Sequence, residues 1–73
     1  MKYSTFIRNG NLCFKIDEGQ FKGITYRYKA LTESKGLEYD LISGKKLINK
    51  DNKYVFEREI KAILNNKLGL ENV

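Results

Sequence analysis

The residues of this chain that could do chemistry are few in kind. It contains no histidine and a single cysteine, Cys13. Without histidine the commonest general base is missing, and the usual zinc ligand sets cannot be assembled. One cysteine cannot close an internal disulfide. Cys13 would be a nucleophile only if a neighbouring base or a helix terminus lowered its pKa. It falls mid-strand beside Phe6 and Lys15, the setting of a half-buried structural thiol. Asp17, Glu18, Glu38 and Asp40 lack the spacing of a paired acid and base or of a calcium loop. The six glycines are scattered at turns and form no phosphate-cradling loop. The expectation is a protein that is not an enzyme and carries no metal or cofactor.

What the chain has in excess is positive charge. Fourteen lysines and arginines against nine carboxylates give a formal charge of +5 and a pI near 9.4. Such a surplus favours an anionic partner, nucleic acid or an acidic protein surface, although it also serves solubility. Arg8, Arg27 and Arg58 are the only arginines. Lysine meets phosphate as a point charge, whereas arginine reads guanine with a two-pronged contact. The composition therefore leans towards backbone contact over base reading.

The elements that must position these cations can be read from periodicity and turn chemistry. From Tyr54 to Leu68, Phe56, Ile60, Ile63, Leu64 and Leu68 recur on one side of a helix predicted over 53–68. Asp51 or Asn52 is the expected N-cap. Glu57 precedes Lys61 by four residues, and Gly69 suits the left-handed stop, with Leu70 folding back on Leu64. Before the helix come two hairpins. In the first, strands 2–8 and 12–17 flank Asn9-Gly10, a favoured type I′ pair. That turn sets Ile7 opposite Leu12, Thr5 opposite Phe14 and Tyr3 opposite Ile16 on one face. Phe6 then meets Cys13, Ser4 meets Lys15 and Lys2 meets Asp17 on the other. Residues 18–23 connect the hairpins, with Phe21 as a plug over one edge of the core.

In the second hairpin, strands 24–31 and 37–42 are joined by Thr32 to Lys35. Pairing Ala30 with Leu37 brings Tyr28 opposite Tyr39 and Tyr26 opposite Leu41. Lys29 then meets Glu38, and Arg27 meets Asp40. Ser43-Gly44 is a turn. After it, residues 46–48 either form a short fifth strand or tuck Leu47 and Ile48 into the core. The fold predicted for residues 1–73 is one small α+β domain, a four-stranded or five-stranded antiparallel sheet with a C-terminal helix on one face. The core face takes Tyr3, Ile7, Leu12, Phe14, Ile16, Ile24, Tyr26, Tyr28, Leu37, Tyr39 and Leu41. With five tyrosines and four phenylalanines in the chain, most rings point inwards, and only Phe6 is expected outside. Single-strand readers need several exposed rings, so the tyrosines are core, not a stacking platform.

The open face carries Arg8, Lys15, Arg27 and Lys29 with Phe6, Cys13, Thr25, Leu31 and Ile42. A second basic group, Lys45, Lys46, Lys50 and Lys53, lies on the turn and linker before the helix. These eight cations are the candidate nucleic-acid contacts. Phe6, Leu31 and Ile42 are the candidate protein contacts, with a homodimer through the open face among the outcomes. The plan of strands followed by a helix resembles that of the arm-type DNA-binding domains of phage and transposon integrases. No motif of that family is matched residue by residue, so no functional residue carries over. The small size and richness in Lys, Asn and Ile also resemble small proteins of phages and mobile elements. That likeness implies an inhibitor or adaptor of a host machine, of the anti-CRISPR kind. Two functions are thus expected: a module contacting the DNA backbone, or a protein-binding inhibitor. Nothing in the sequence suggests a membrane span or a secretory signal, so a cytoplasmic protein is the expectation.

Overall fold

The computed structural model describes residues 2–69. The order is β1 (Tyr3–Arg8), β2 (Asn11–Ile16), β3 (Thr25–Thr32), β4 (Gly36–Ser43), a 3₁₀ turn (Lys45–Leu47) and α1 (Lys53–Leu68). The strands form one antiparallel sheet in the order β1-β2-β3-β4. The helix lies over one face and buries Phe56, Ile60, Ile63 and Leu64. No helix among the described residues is long and apolar enough to cross a membrane.

The β1–β2 ladder has the register that its turn dictates, from Tyr3↔Ile16 through Phe6↔Cys13 to Arg8↔Asn11. Asn9 (φ 52°) and Gly10 (φ 78°) supply the two positive φ angles of a type I′ turn. The second hairpin departs from expectation. Tyr26↔Leu41, Arg27↔Asp40 and Tyr28↔Tyr39 pair as predicted, but Ala30 pairs with Glu38 and Leu31 with Leu37. The cause is the loop. Thr32↔Gly36 closes three residues, Gly36 is left-handed at φ 70°, and Thr32 Oγ1 accepts the Lys35 N–H at 3.1 Å. That loop fixes a register one residue away from the one the tyrosines fix. Lys29 absorbs the difference as a β-bulge. Leu31 consequently shares the helix-side face with Leu37, in place of Ala30, and Lys29 no longer stands opposite Glu38. A second shift lies between Tyr26 and Thr25, where Ile42 is the extra residue on β4.

The core is a cluster of rings closed by aliphatics. Phe14 stacks on Tyr26 at 5.2 Å and 8°, and Phe56 meets Phe21, Tyr26 and Tyr39 edge-on at 5.2, 6.3 and 5.8 Å. Offset and edge-to-face pairs add roughly 0.5–1.5 kcal/mol each beyond area burial. Phe21 is fully buried, as the expected plug. Ile7 is not core: it is 68% exposed, because it sits at the outer end of an edge strand with the helix anchored nearer Tyr3, whose hydroxyl donates to Asn66 Oδ1 at 2.8 Å. Thr25, expected on the open face, is buried.

After β4 the chain forms no fifth strand among the described residues. Gly44 is left-handed (φ 79°) and a Cβ there would lie 2.9 Å from Ile24 Cα, so the chain turns directly over the start of β3. Lys45–Leu47 then makes a single 3₁₀ turn, Ile48 packs against the core, and Leu47 stays exposed. Helix entry is organised by Asn49 and Asn52, not by a side-chain N-cap. Asn49 Oδ1 accepts the N–H groups of Asp51 and Asn52, and Asn52 Oδ1 accepts that of Asn49. Asn52 Nδ2 donates to the Leu47 carbonyl at 3.0 Å. The helix ends on left-handed Gly69, whose N–H donates to the Asn65 carbonyl at 2.9 Å. The predicted contact of Leu70 lies outside the described residues.

Candidate nucleic-acid interface

On the face away from the helix, one row of side chains crosses the sheet: Phe6, Cys13, Arg27 and Asp40. Arg27 and Asp40 form the one ion pair among the described residues. Cys13, expected half-buried, is only 1% exposed. It is a small side chain between two large neighbours, Phe6 and Arg27, in adjacent strands. Its Sγ lies 3.6 Å from the Asn11 carbonyl. A shallow depression of about 360 Å³ opens beside it, lined by Arg8, Asn11, Arg27, Asp40 and Ile42.

The expected protein-contact residues are not brought together. Phe6 (38% exposed) lies on β1 at one edge, and Ile42 (39%) on β4 at the other. With strands ~4.8 Å apart, the two edges stand ~14 Å from each other. The Arg27–Asp40 pair intervenes, and Leu31 has been turned to the opposite face.

The cations divide differently from the sequence grouping. Arg8 and Lys15 are exposed on the open face, while Arg27 is held by Asp40. Lys29, on its bulge, joins Lys45 and Lys53 around an open cleft of about 840 Å³ along the outer edge of β4. Leu37, Leu41 and Ile48 also line it. Glu38, Asp40 and Glu57 line it too, so its charge is mixed. Two of these carboxylates are engaged, Asp40 by Arg27 and Glu57 by the Tyr39 hydroxyl at 2.9 Å. Burial, then the bond to Glu57, pushes the Tyr39 phenol well above its usual pKa. Lys46 and Lys50 are exposed on the same turn and linker.

Two features escaped the sequence reading. Tyr54 is 72% exposed with Arg58 over its ring at 5.5 Å. Its place off the stripe of Phe56, Ile60 and Ile63 signals this, since adjacent helical positions are 100° apart. Exposed Ile7 had no such signal, because it depends on where the helix stops. No family model matches the chain, and neither a curated protein nor a solved structure matches it significantly. The functional argument therefore rests on the geometry.

Proposed function

We propose that the protein is a non-enzymatic binding module that contacts nucleic acid, chiefly the DNA backbone, through exposed cations. One observation carries this reading. Of the eight candidate cations, Arg8, Lys15, Lys29, Lys45, Lys46, Lys50 and Lys53 are exposed, and only Arg27 has an ion-pair partner among the described residues. Exposed, unneutralised lysines are what phosphate contact with counterion release requires. Size supports backbone over base contact. A four-stranded sheet spans ~14 Å between its outer strands before side chains are added, more than the ~12 Å of a major groove. The sheet as a whole would ride on the phosphates.

Fluorescence anisotropy with a generic duplex, titrated over salt, tests the proposal. Four or five phosphate contacts would give a slope of log affinity on log salt near about −4. The Arg8→Glu/Lys15→Glu and Lys45→Glu/Lys46→Glu double variants should each weaken binding at least ~10-fold, since each removes two contacts and adds repulsion. No binding at low salt, or binding indifferent to both variants, would sink it. The inhibitor or adaptor reading has less support, because its three apolar contact residues do not form one patch.

A further inference from the structure

The β3–β4 hairpin holds one residue more than its ladder uses. Tyr28↔Tyr39 and Ala30↔Glu38 are successive pairs, and Lys29 between them has no partner on β4. The same chain admits a second arrangement. Setting Lys29 opposite Glu38 moves Ala30 to Leu37 and Leu31 to Gly36. It leaves Tyr28↔Tyr39 untouched and lengthens the loop from residues 33–35 to residues 32–35. The extra residue is then stored in the loop instead of in the ladder, and hairpin loops of three and of four residues are both common. We propose that residues 29–36 are a register switch, exchanging between the observed bulged state and this slipped state, and that the exchange decides whether Lys29 is free.

The two states are closely matched. The bulged state has Gly36 at φ 70°, the left-handed residue that closes its three-residue loop, and it turns Leu31 to the helix side with Leu37. The slipped state removes the bulge and brings opposite charges together. Lys29 and Glu38 both line the cleft along β4, and neither has an ion-pair partner among the described residues. Directly across from each other they attract. Apolar burial discriminates weakly, because Ala30 and Leu31 are both half-buried. The slip stops short of the core, since Tyr26↔Leu41, Arg27↔Asp40 and Tyr28↔Tyr39 are common to both states. The first hairpin has no such alternative: a one-residue slip there would turn the buried Phe14 and Ile16 outwards. The slipped state is expected at a few per cent, in the upper part of the ~0.1–10% range of two-state proteins.

The exchange changes what the cleft offers. In the bulged state Lys29 stands with Lys45 and Lys53 around it. In the slipped state Glu38 neutralises Lys29. An anion held by Lys29 therefore selects the bulged state. That last step rests on the nucleic-acid reading; the exchange itself does not.

Amide relaxation dispersion and saturation transfer read the switch. One minor state shared by residues 29–36 and absent from β1–β2 is expected. Deleting Lys29 leaves a single register and should abolish it. Gly36→Ala penalises only the left-handed loop and should raise the slipped fraction at least ~5-fold. Ala30→Leu with Leu31→Ala puts leucine where it faces Leu37 only in the slipped state. That variant should make slipped pairing the major form, with cross-strand nuclear Overhauser contacts from Glu38 to Lys29 in place of those to Ala30. Flat profiles over residues 29–36 of the wild type overturn the proposal. So does exchange that survives deletion of Lys29, or an Ala30→Leu/Leu31→Ala variant that keeps the observed pairs. Saturating duplex DNA should lower the slipped fraction. A bound duplex that leaves it unchanged overturns the role of Lys29, whereas a chain that binds no duplex counts against the nucleic-acid reading and leaves the exchange standing.

Discussion

The two hairpins use similar lengths of chain and solve the register problem differently. In β1–β2 the turn and the side-chain pattern ask for the same pairing, and the ladder runs from Tyr3↔Ile16 to Arg8↔Asn11 without a break. In β3–β4 the middle of the ladder and its loop ask for pairings one residue apart. Tyr28↔Tyr39 and Arg27↔Asp40 belong to one register, Leu31↔Leu37 and Thr32↔Gly36 to the other. Lys29 is where they are reconciled. The result puts leucine instead of alanine opposite Leu37 on the helix-side face, where Leu31 is half-buried. Local turn chemistry thus decides a register alone only where packing agrees with it. Where the two disagree, both survive and one residue is left over.

Deletions break this comparison most severely. Removing Lys15 from the regular hairpin shifts Ile16 to the wrong face and loses its burial, a cost of ~2–5 kcal/mol. That is comparable with the whole stability of a small domain. The expected outcome is an unfolded chain by circular dichroism and amide chemical-shift dispersion. Removing Lys29 leaves every observed pair in place and makes the ladder continuous from Tyr26 to Thr32, with the shift at Ile42 unchanged, and the variant should fold with a stability change within ~1 kcal/mol. Equal loss in both would mean that Lys29 is not a simple spare residue.

A matched pair of glycines sharpens the point. Gly10 and Gly44 have nearly the same φ, 78° and 79°, but a Cβ at Gly10 meets nothing within 4 Å while one at Gly44 meets Ile24 Cα at 2.9 Å. Gly10→Ala should cost about 1 kcal/mol, the conformational penalty alone. Gly44→Ala should cost about 3 kcal/mol, because overpacking against backbone is added. Denaturant melts of both report the difference, and equal costs would remove the crowding argument.

Tyr26 gives a smaller effect of opposite sign. Its hydroxyl is buried without a hydrogen-bond partner, so Tyr26→Phe should be neutral or stabilising by up to ~1 kcal/mol. Burial pushes the Tyr26 phenol above its usual range, as it does Tyr39. Unfolded tyrosine loses its proton near pH ~10, whereas these two hold theirs to higher pH when folded. Their contribution to stability is therefore complete below that pH and is lost as pH rises above it. Tyr26→Phe should flatten the alkaline limb of the stability curve, and an unchanged limb would show that the Tyr26 phenol does not titrate on unfolding. Smallest of all is Arg27→Gln. The pair with Asp40 is partly exposed, with side-chain exposures of 36% and 50%, and should contribute under ~1 kcal/mol, less in high salt.

Much of this was legible in the sequence. The helix came out at its observed bounds, because Phe56, Ile60, Ile63 and Leu64 carry its period and Gly69 its stop. Asn9-Gly10 announced the first hairpin. The second was half legible: Thr32 to Gly36 contains a three-residue loop closed by a left-handed glycine, but the alternating charges of Arg27, Lys29, Glu38 and Asp40 suggested a regular ladder. The burial of Cys13 and the exposure of Ile7 were not legible, since they depend on neighbours in other strands and on the reach of the helix. The same holds for the cleft that gathers Lys29, Lys45 and Lys53, which are far apart in the chain and meet only because β4 leads back over the sheet edge.

The burial of Cys13 also makes it a clock. It is the chain's single thiol and is 1% exposed between Phe6 and Arg27. A disulfide reagent must displace Phe6 and Arg27 or open the hairpin to reach it, and the part of the labelling rate that rises with denaturant counts opening events. Labelling that slows in proportion to global stability would mean β2 is released only with the whole domain. Faster labelling, insensitive to changes around Gly44, would mean that β1 peels away alone.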